Sequence, residues 1–255
     1  MHGVVNWHIG RCGSSVLGSL LAQHPSIAYS NEIYSRYMPR RRGLSSLPTI
    51  DSVLEQAQQQ VVSQCEIHFF EVKHLPDQNI GLYKQLEVQD WLNHFFAQGY
   101  KHHLLMRRRN GLRRLVSHFR AAQSGQYVLG SSSKVVNGSP IMIPLEGIVH
   151  GFGTRTLLGW LEEYERGHKV MQDCLGDLDK SNPDFSWLEL VYEDQIEHDP
   201  CMAYRDVCDF LGLPAVDVDL RFHKISPGRL VDLIANLDEI RDCLSSTRFA
   251  WMLSE

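Results

Sequence analysis

The stretch Val4-Val5-Asn6-Trp7-His8-Ile9-Gly10-Arg11-Cys12-Gly13-Ser14-Ser15-Val16-Leu17 decides how the rest of the chain is read. Its first six residues form a short, mostly apolar run ending in Gly10, the composition of a strand buried on both faces. From Ser14 to Gln23 the apolar residues Val16, Leu17, Leu20 and Leu21 share one helical face, and His24-Pro25 stops the run. Strand, small-residue turn and helix is the arrangement that a phosphate group needs. Small residues let the backbone approach the anion, and successive N–H groups converge on its oxygens. The helix start adds its positive end and free donors. Arg11 supplies a fixed, forked cation, each charge-assisted bond contributing about 1.5–3 kcal/mol. An ordinary Gly/Ser turn has the same local composition, so the loop by itself leaves the ligand open.

Working outward, strands and helices alternate. The spacing predicts a polar helix over Asp51–Gln64, a strand over Ile67–Leu75 and an amphipathic helix over Leu86–Gln98 carrying Trp91, Leu92, Phe95 and Phe96. A third strand, His102–Met106, precedes an Arg-rich turn and a helix over Leu112–Ala122. Ser124–Pro140 is rich in Gly and Ser and reads as a surface loop. A helix over Leu157–Cys174 and a strand over Trp187–Tyr192 follow. Asp199-Pro200 gives an N-cap and a first-turn proline for a helix ended by Gly212 and Pro214. Two short helices are expected over Arg229–Leu253. There are no internal repeats and no clear linker, so the reading is one domain, residues 1–255. Its class is α/β, a P-loop-like three-layer sandwich with a mainly parallel central sheet flanked by helices.

The bulk properties narrow the function. A net charge of -5 argues against a general nucleic-acid binder. Arg40–Arg42 and the arginines of 107–114 leave room for a local anion site. No apolar run approaches the roughly 18 residues of a membrane span, and no signal peptide is visible. The six cysteines are scattered without a CxxC pair. They read as reduced thiols of a cytoplasmic protein, with no metal site. Nothing in the pattern speaks to oligomeric state. A Walker-A nucleotide site would need a Lys before Ser14 and a hydroxyl on magnesium. Gly13 stands there instead, which counts against metal-dependent phosphoryl transfer and leaves a divergent P-loop kinase as an alternative.

The run Arg11-Cys12-Gly13-Ser14-Ser15-Val16-Leu17-Gly18-Ser19-Leu20-Leu21-Ala22-Gln23-His24-Pro25 resembles the 5′-phosphosulfate loop and helix of PAPS-dependent sulfotransferases. It is most similar to the bacterial and Golgi carbohydrate branch. The resemblance implies that Arg11, Cys12, Gly13, Ser14, Ser15 and Val16 bind the donor PAPS and the product PAP. Arg11 would also stabilise the departing oxygen. Leu104-Leu105-Met106-Arg107-Arg108-Arg109-Asn110-Gly111, continuing to Ser117, is similar to the family's 3′-phosphate motif and implies Arg109 and Ser117 for that phosphate. Gly111 departs from the proline usual there. Leu190-Val191-Tyr192-Glu193-Asp194, followed by Asp199-Pro200 and Phe210-Leu211-Gly212-Leu213-Pro214, resembles a late family segment whose Tyr lies near the adenine, here Tyr192.

The implied reaction is transfer of a sulfonate to a hydroxyl or amine of a saccharide, glycolipid or small-molecule alcohol. It calls for a general base, worth about 10²–10⁴-fold in rate. Two candidates stand. Glu32, in the run from His24-Pro25 to Asn31-Glu32, looks like the proposed base of carbohydrate sulfotransferases. His74, in Val72-Lys73-His74-Leu75-Pro76, resembles the catalytic His of the cytosolic branch, with Lys73 as a partner for the sulfonate or acceptor. A surface glutamate and a strand-end histidine satisfied by backbone are the plain readings of the same residues. A non-catalytic PAP- or glycan-binding module on this fold is a further alternative. The pair His102-His103 reads as strand structure, and Trp91, Phe95 and Phe96 as core.

Overall fold

Five strands pair in parallel in the order β2-β3-β1-β4-β8. They are β1 (His2–His8), β2 (Ile27–Glu32), β3 (Ile67–Lys73), β4 (Tyr100–Arg107) and β8 (Ser186–Val191). The computed structural model describes residues 2–35, 48–61, 65–74, 87–127, 129–130, 139–150, 153–223 and 228–254. Two compact units divide the chain: Met1–Arg107 with Gly167–Leu220, and Arg108–Arg166 with Arg221–Glu255.

The first unit holds the sheet. Neighbours in register share a face, so Trp7, Val72, Leu105 and Glu189 point one way. Most of that face is a dry aromatic core. Val5, Trp7, Phe70, Val72 and Leu105 pack with Trp91 and Phe95 of helix Val88–Ala97 and with Met171 and Leu175 of helix Leu157–Ser181. Trp7 and Phe95 ring centroids lie 5.7 Å apart, and Phe70 meets Tyr100 edge-on at 5.0 Å. His103 belongs to this packing. It accepts the Trp7 indole N–H at 3.1 Å, and burial pushes its pKa down to about 3. The other face carries Asn6, His8, Glu71 and Lys73 and is treated below.

The second unit contains helix Gly111–Ser124, capped by Asn110, whose Oδ1 accepts the Arg113 N–H at 2.9 Å. Arg114 lies over the Trp160 ring at 5.0 Å. Strands β5 (Leu129–Gly130) and β9 (Phe222–His223) pair antiparallel, as do β6 (Ile148–His150) and β7 (Gly153–Arg155). Two short helices, Leu230–Leu233 and Leu237–Leu244, precede a final 3₁₀ turn, Ala250–Leu253.

The parallel α/β class follows the sequence reading. Several bounds differ, and β2 was not among the expected strands. Helix Leu157–Ser181 runs beyond Cys174, because Leu175 and Leu178 carry its buried apolar face one turn further, past Gly176. Strand β3 ends at Lys73, and Leu75-Pro76 lies outside the described residues. Strand β2 carries Ser30, Asn31 and Glu32 at its end and sits at the sheet edge, where polar residues are tolerated. The loop read over Ser124–Pro140 contains β5, with 131–138 outside the described residues, as are Arg40–Arg42.

Candidate anion loop and acid–base site

Three of the four residues between Gly10 and Gly13 adopt left-handed backbone: Gly10 at φ 72°, Arg11 at 61° and Gly13 at 89°. For Arg11 this conformation costs about 1–2 kcal/mol. Such a run turns successive N–H groups toward one side, as in anion-binding nests. Helix α1 (Ser14–Leu21) starts directly after it. Gly13 stands at its N-cap without a side-chain cap bond. A Cβ at Gly13 would lie 2.7 Å from Ile196 Cγ2 and 3.3 Å from Tyr192 Cδ2. The π-helical turn Tyr192–Ile196 therefore closes onto the loop, which brings Tyr192 beside Gly13. Cys12 is fully buried against His8, which leaves only its backbone to serve a ligand. His24 explains the His-Pro run: its Nε2 donates to the Pro214 carbonyl at 3.1 Å and its Nδ1 accepts the Ser26 N–H at 3.1 Å.

Glu32 reaches the site through a bulge. Tyr29 pairs with Phe69, yet Glu32 pairs with Glu71, so three steps along β2 match two along β3. Asn31 takes the extra step at φ 35°, and its Oδ1 accepts the Glu32 N–H at 2.8 Å. Without the bulge Glu32 would pair with Val72 and face the aromatic core, since one residue of slip inverts every side chain beyond it.

On the face so reached, Lys73 Nζ donates to Glu32 Oε2 at 2.8 Å, with both side chains about a fifth exposed. His8 Nε2 lies 3.9 Å from Glu32 Oε1 and 3.3 Å from Glu71 Oε2. Glu71 in turn accepts from Asn6 Nδ2 at 3.3 Å and bonds the Tyr29 hydroxyl. Gly18 permits this, because a Cβ there would come within 2.0 Å of the Tyr29 hydroxyl oxygen. Burial alone would raise the Glu32 carboxyl; the facing His8 ring, the Lys73 charge and the bonds from Lys73 and Ser35 outweigh it and hold the group below its ordinary value. Glu32 is a carboxylate at neutral pH. Among the described residues, His8, Glu32 and Glu71 form a trio with ligand atoms within 4.8 Å of one another. Gly10 N–H donates to His8 Nδ1 at 3.1 Å, which places the ring proton on Nε2. With Lys73 paired to Glu32 and the His8 Nε2 edge facing both carboxylates, the trio is an internal polar network.

His74 follows Lys73 on the opposite face. It is buried, both ring nitrogens lack a hydrogen-bond partner among the described residues, and burial holds its pKa well below the ordinary value, so it is neutral. Its ring lies 6.4 Å from that of His168, which binds Glu189 Oε1 at 2.8 Å. Gln172 and Arg107 complete the Glu189 network, which the sequence reading did not find.

Arg109 and Ser117 belong to the second unit: Arg109 exposed in the turn before helix Gly111–Ser124, Ser117 buried in its second turn. A Cβ at Gly111 would lie 2.8 Å from Leu161 Cδ2, which accounts for glycine at this position.

No family model and no curated protein matches this chain. Among solved structures, it matches a sulfotransferase from Alicyclobacillus acidocaldarius at 14% identity and TM-score 0.49, over 99% of this chain and 94% of that one. It also matches the sulfotransferase domain of the Synechococcus PCC 7002 olefin synthase at 15% identity and TM-score 0.42, over 94% and 82% of the two chains. No described helix is long and apolar enough to cross a membrane.

Proposed function

We propose that this protein is a PAPS-dependent sulfotransferase acting on a hydroxyl or amine of a saccharide, glycolipid or small-molecule alcohol. The observation that carries the reading is the strained loop at Gly10–Gly13. A non-glycine residue held in left-handed backbone, at the mouth of an uncapped helix, is strain retained for a ligand. The order of motifs in the sequence says which ligand: a 5′-phosphosulfate at this loop, with Arg109 and Ser117 assigned to the 3′-phosphate and Tyr192 to the adenine by resemblance.

The acceptor oxygen attacks sulfur in line, forming one S–O bond as the bond to the 5′-phosphate oxygen breaks. The acceptor's proton passes to a base, and PAP leaves with the electron pair, its charge met by Arg11 and the loop N–H groups. We assign the base to Glu32 in preference to His74. Glu32 is ionised and partly exposed, its Oε1 3.9 Å from His8 at the end of the loop's own strand, whereas His74 is buried. Its depressed pKa makes it a weak base, suited to taking the proton once the S–O bond is forming. Lys73 holds it and stands ready to meet the sulfonate oxygens.

The test is ligand-induced stabilisation. PAP should raise the melting temperature without added metal, and more than ATP with Mg²⁺ does. Stabilisation by Mg–ATP alone would transfer the assignment to phosphoryl chemistry. PAP binding with no transfer from labelled PAPS across a broad acceptor panel would leave a binding module.

A further inference from the structure

We propose that His8 is a positioning residue that ties the donor loop to the carboxylate base. This rests on the sulfotransferase reading above. The ring is fully buried; its Nδ1 edge is hydrogen-bonded, and its Nε2 edge, which makes no hydrogen bond among the described residues, faces two carboxylates. Its Nδ1 accepts the Gly10 N–H at 3.1 Å, at the first left-handed residue of the loop. Its Nε2 edge points between Glu71 Oε2 at 3.3 Å and Glu32 Oε1 at 3.9 Å. Histidine is the side chain that can accept at one edge and donate at the other across a rigid ring. A strand end needing only packing would carry Val or Ile, and a buried imidazole facing a carboxylate has a desolvation cost that packing does not require. Glu71, held by Asn6 and Tyr29, keeps the ring oriented from below.

The charged and titratable groups around the ring are Glu71 and Lys73 from β3, Glu32 and Tyr29 from β2, Cys12 from the loop, and His74 beyond β3. Burial alone would lower the His8 pKa, and the Glu71 carboxylate works against it and raises it. A second proton at Nδ1 would nevertheless displace the Gly10 N–H. The loop seen here is thus the form with a single ring proton on Nε2.

Two conservative replacements separate the two edges. Asn at position 8 offers an oxygen where Nδ1 stands, and Gln offers an amide N–H near Nε2. PAP titration calorimetry and a ¹³C titration of the Glu32 carboxyl, assigned by its disappearance in Glu32→Gln, are the readouts. His8→Asn should leave PAP affinity within about threefold while the Glu32 pKa rises. His8→Gln should weaken PAP about tenfold, the cost of a buried N–H left without its acceptor, with the Glu32 pKa in place. His8→Ala should show both changes, if it folds. In the parent, ¹⁵N spectra should show His8 protonated at Nε2 alone.

An Nδ1-protonated ring in the parent overturns the proposal, as do Asn and Gln variants that match the parent or shift both readouts together in step with lost stability. Failure of the parent protein to bind PAP would strike the donor assignment itself. That outcome is distinct from a parent that binds PAP and variants that do not separate.

Discussion

The two faces of one sheet end make the sharpest contrast in this protein. On one, Trp7, Phe70, Val72 and Leu105 bury aromatic and aliphatic surface against two helices. On the other, Asn6, His8, Glu71, Lys73 and Glu32 place a network of charges beneath the strained loop. The same strands supply both, one residue apart. A buried ion pair is a poor way to gain stability, because desolvation consumes most of the attraction. A hydrophobic face is a poor way to orient a ligand. The division therefore assigns stability to one face and chemistry to the other, and substitutions can break or sharpen it.

The largest effect is expected at Glu32. Glu32→Gln should lower transfer from PAPS by about 10²–10⁴-fold, measured on whichever panel acceptor gives turnover, with PAP affinity nearly intact. If His74→Ala gives that pattern and Glu32→Gln does not, the chemistry lies on the other face and the contrast fails. Trp7→Ala should act on stability instead, costing about 3–5 kcal/mol in denaturant unfolding. A cost under about 1 kcal/mol would mean that this face is not the core.

Gly13→Ala should weaken PAP binding about tenfold. The added methyl meets Ile196 and the residue stands at φ 89°, where a Cβ adds about 1–2 kcal/mol of strain. Unchanged affinity in a calorimetric titration would show that the loop does not need its present shape.

The smallest effect concerns acid. Glu32 is held below its ordinary value of 4.5, so its contribution to stability is present above that pH and is lost as pH falls through its folded-state value. Melting curves taken downward from pH 5 should therefore fall less steeply for Glu32→Gln than for the parent, and equal slopes would remove Glu32 from the network.

Much of this was legible in the chain. The apolar run Val4–Ile9 with its small-residue turn marked the strand and loop, and the Asp199-Pro200 cap marked its helix, because each is a local pattern with a local cause. Glu32 and Lys73 were each singled out, yet nothing local says that they touch. Their contact depends on the bulge at Asn31, and a bulge is decided by pairing with another strand. His8 and Glu71 were passed over for the same reason. Each sits in a strand that reads as buried, and a buried polar residue declares itself only when its partner is known. The Glu189 cluster escaped notice likewise, since its members come from β4, β8 and a helix.

Local pattern alone was enough for four of the five parallel strands, the helices between them, the glycines that free the loop, and the residue types able to meet an anion. Those depend on periodicity and on backbone conformations available to each residue. Which carboxylate meets which cation, and on which face, depended on how the strands pair. Parallel pairing brings together residues dozens of positions apart, and the register of each pair, set by packing and one bulge, fixes where every side chain points.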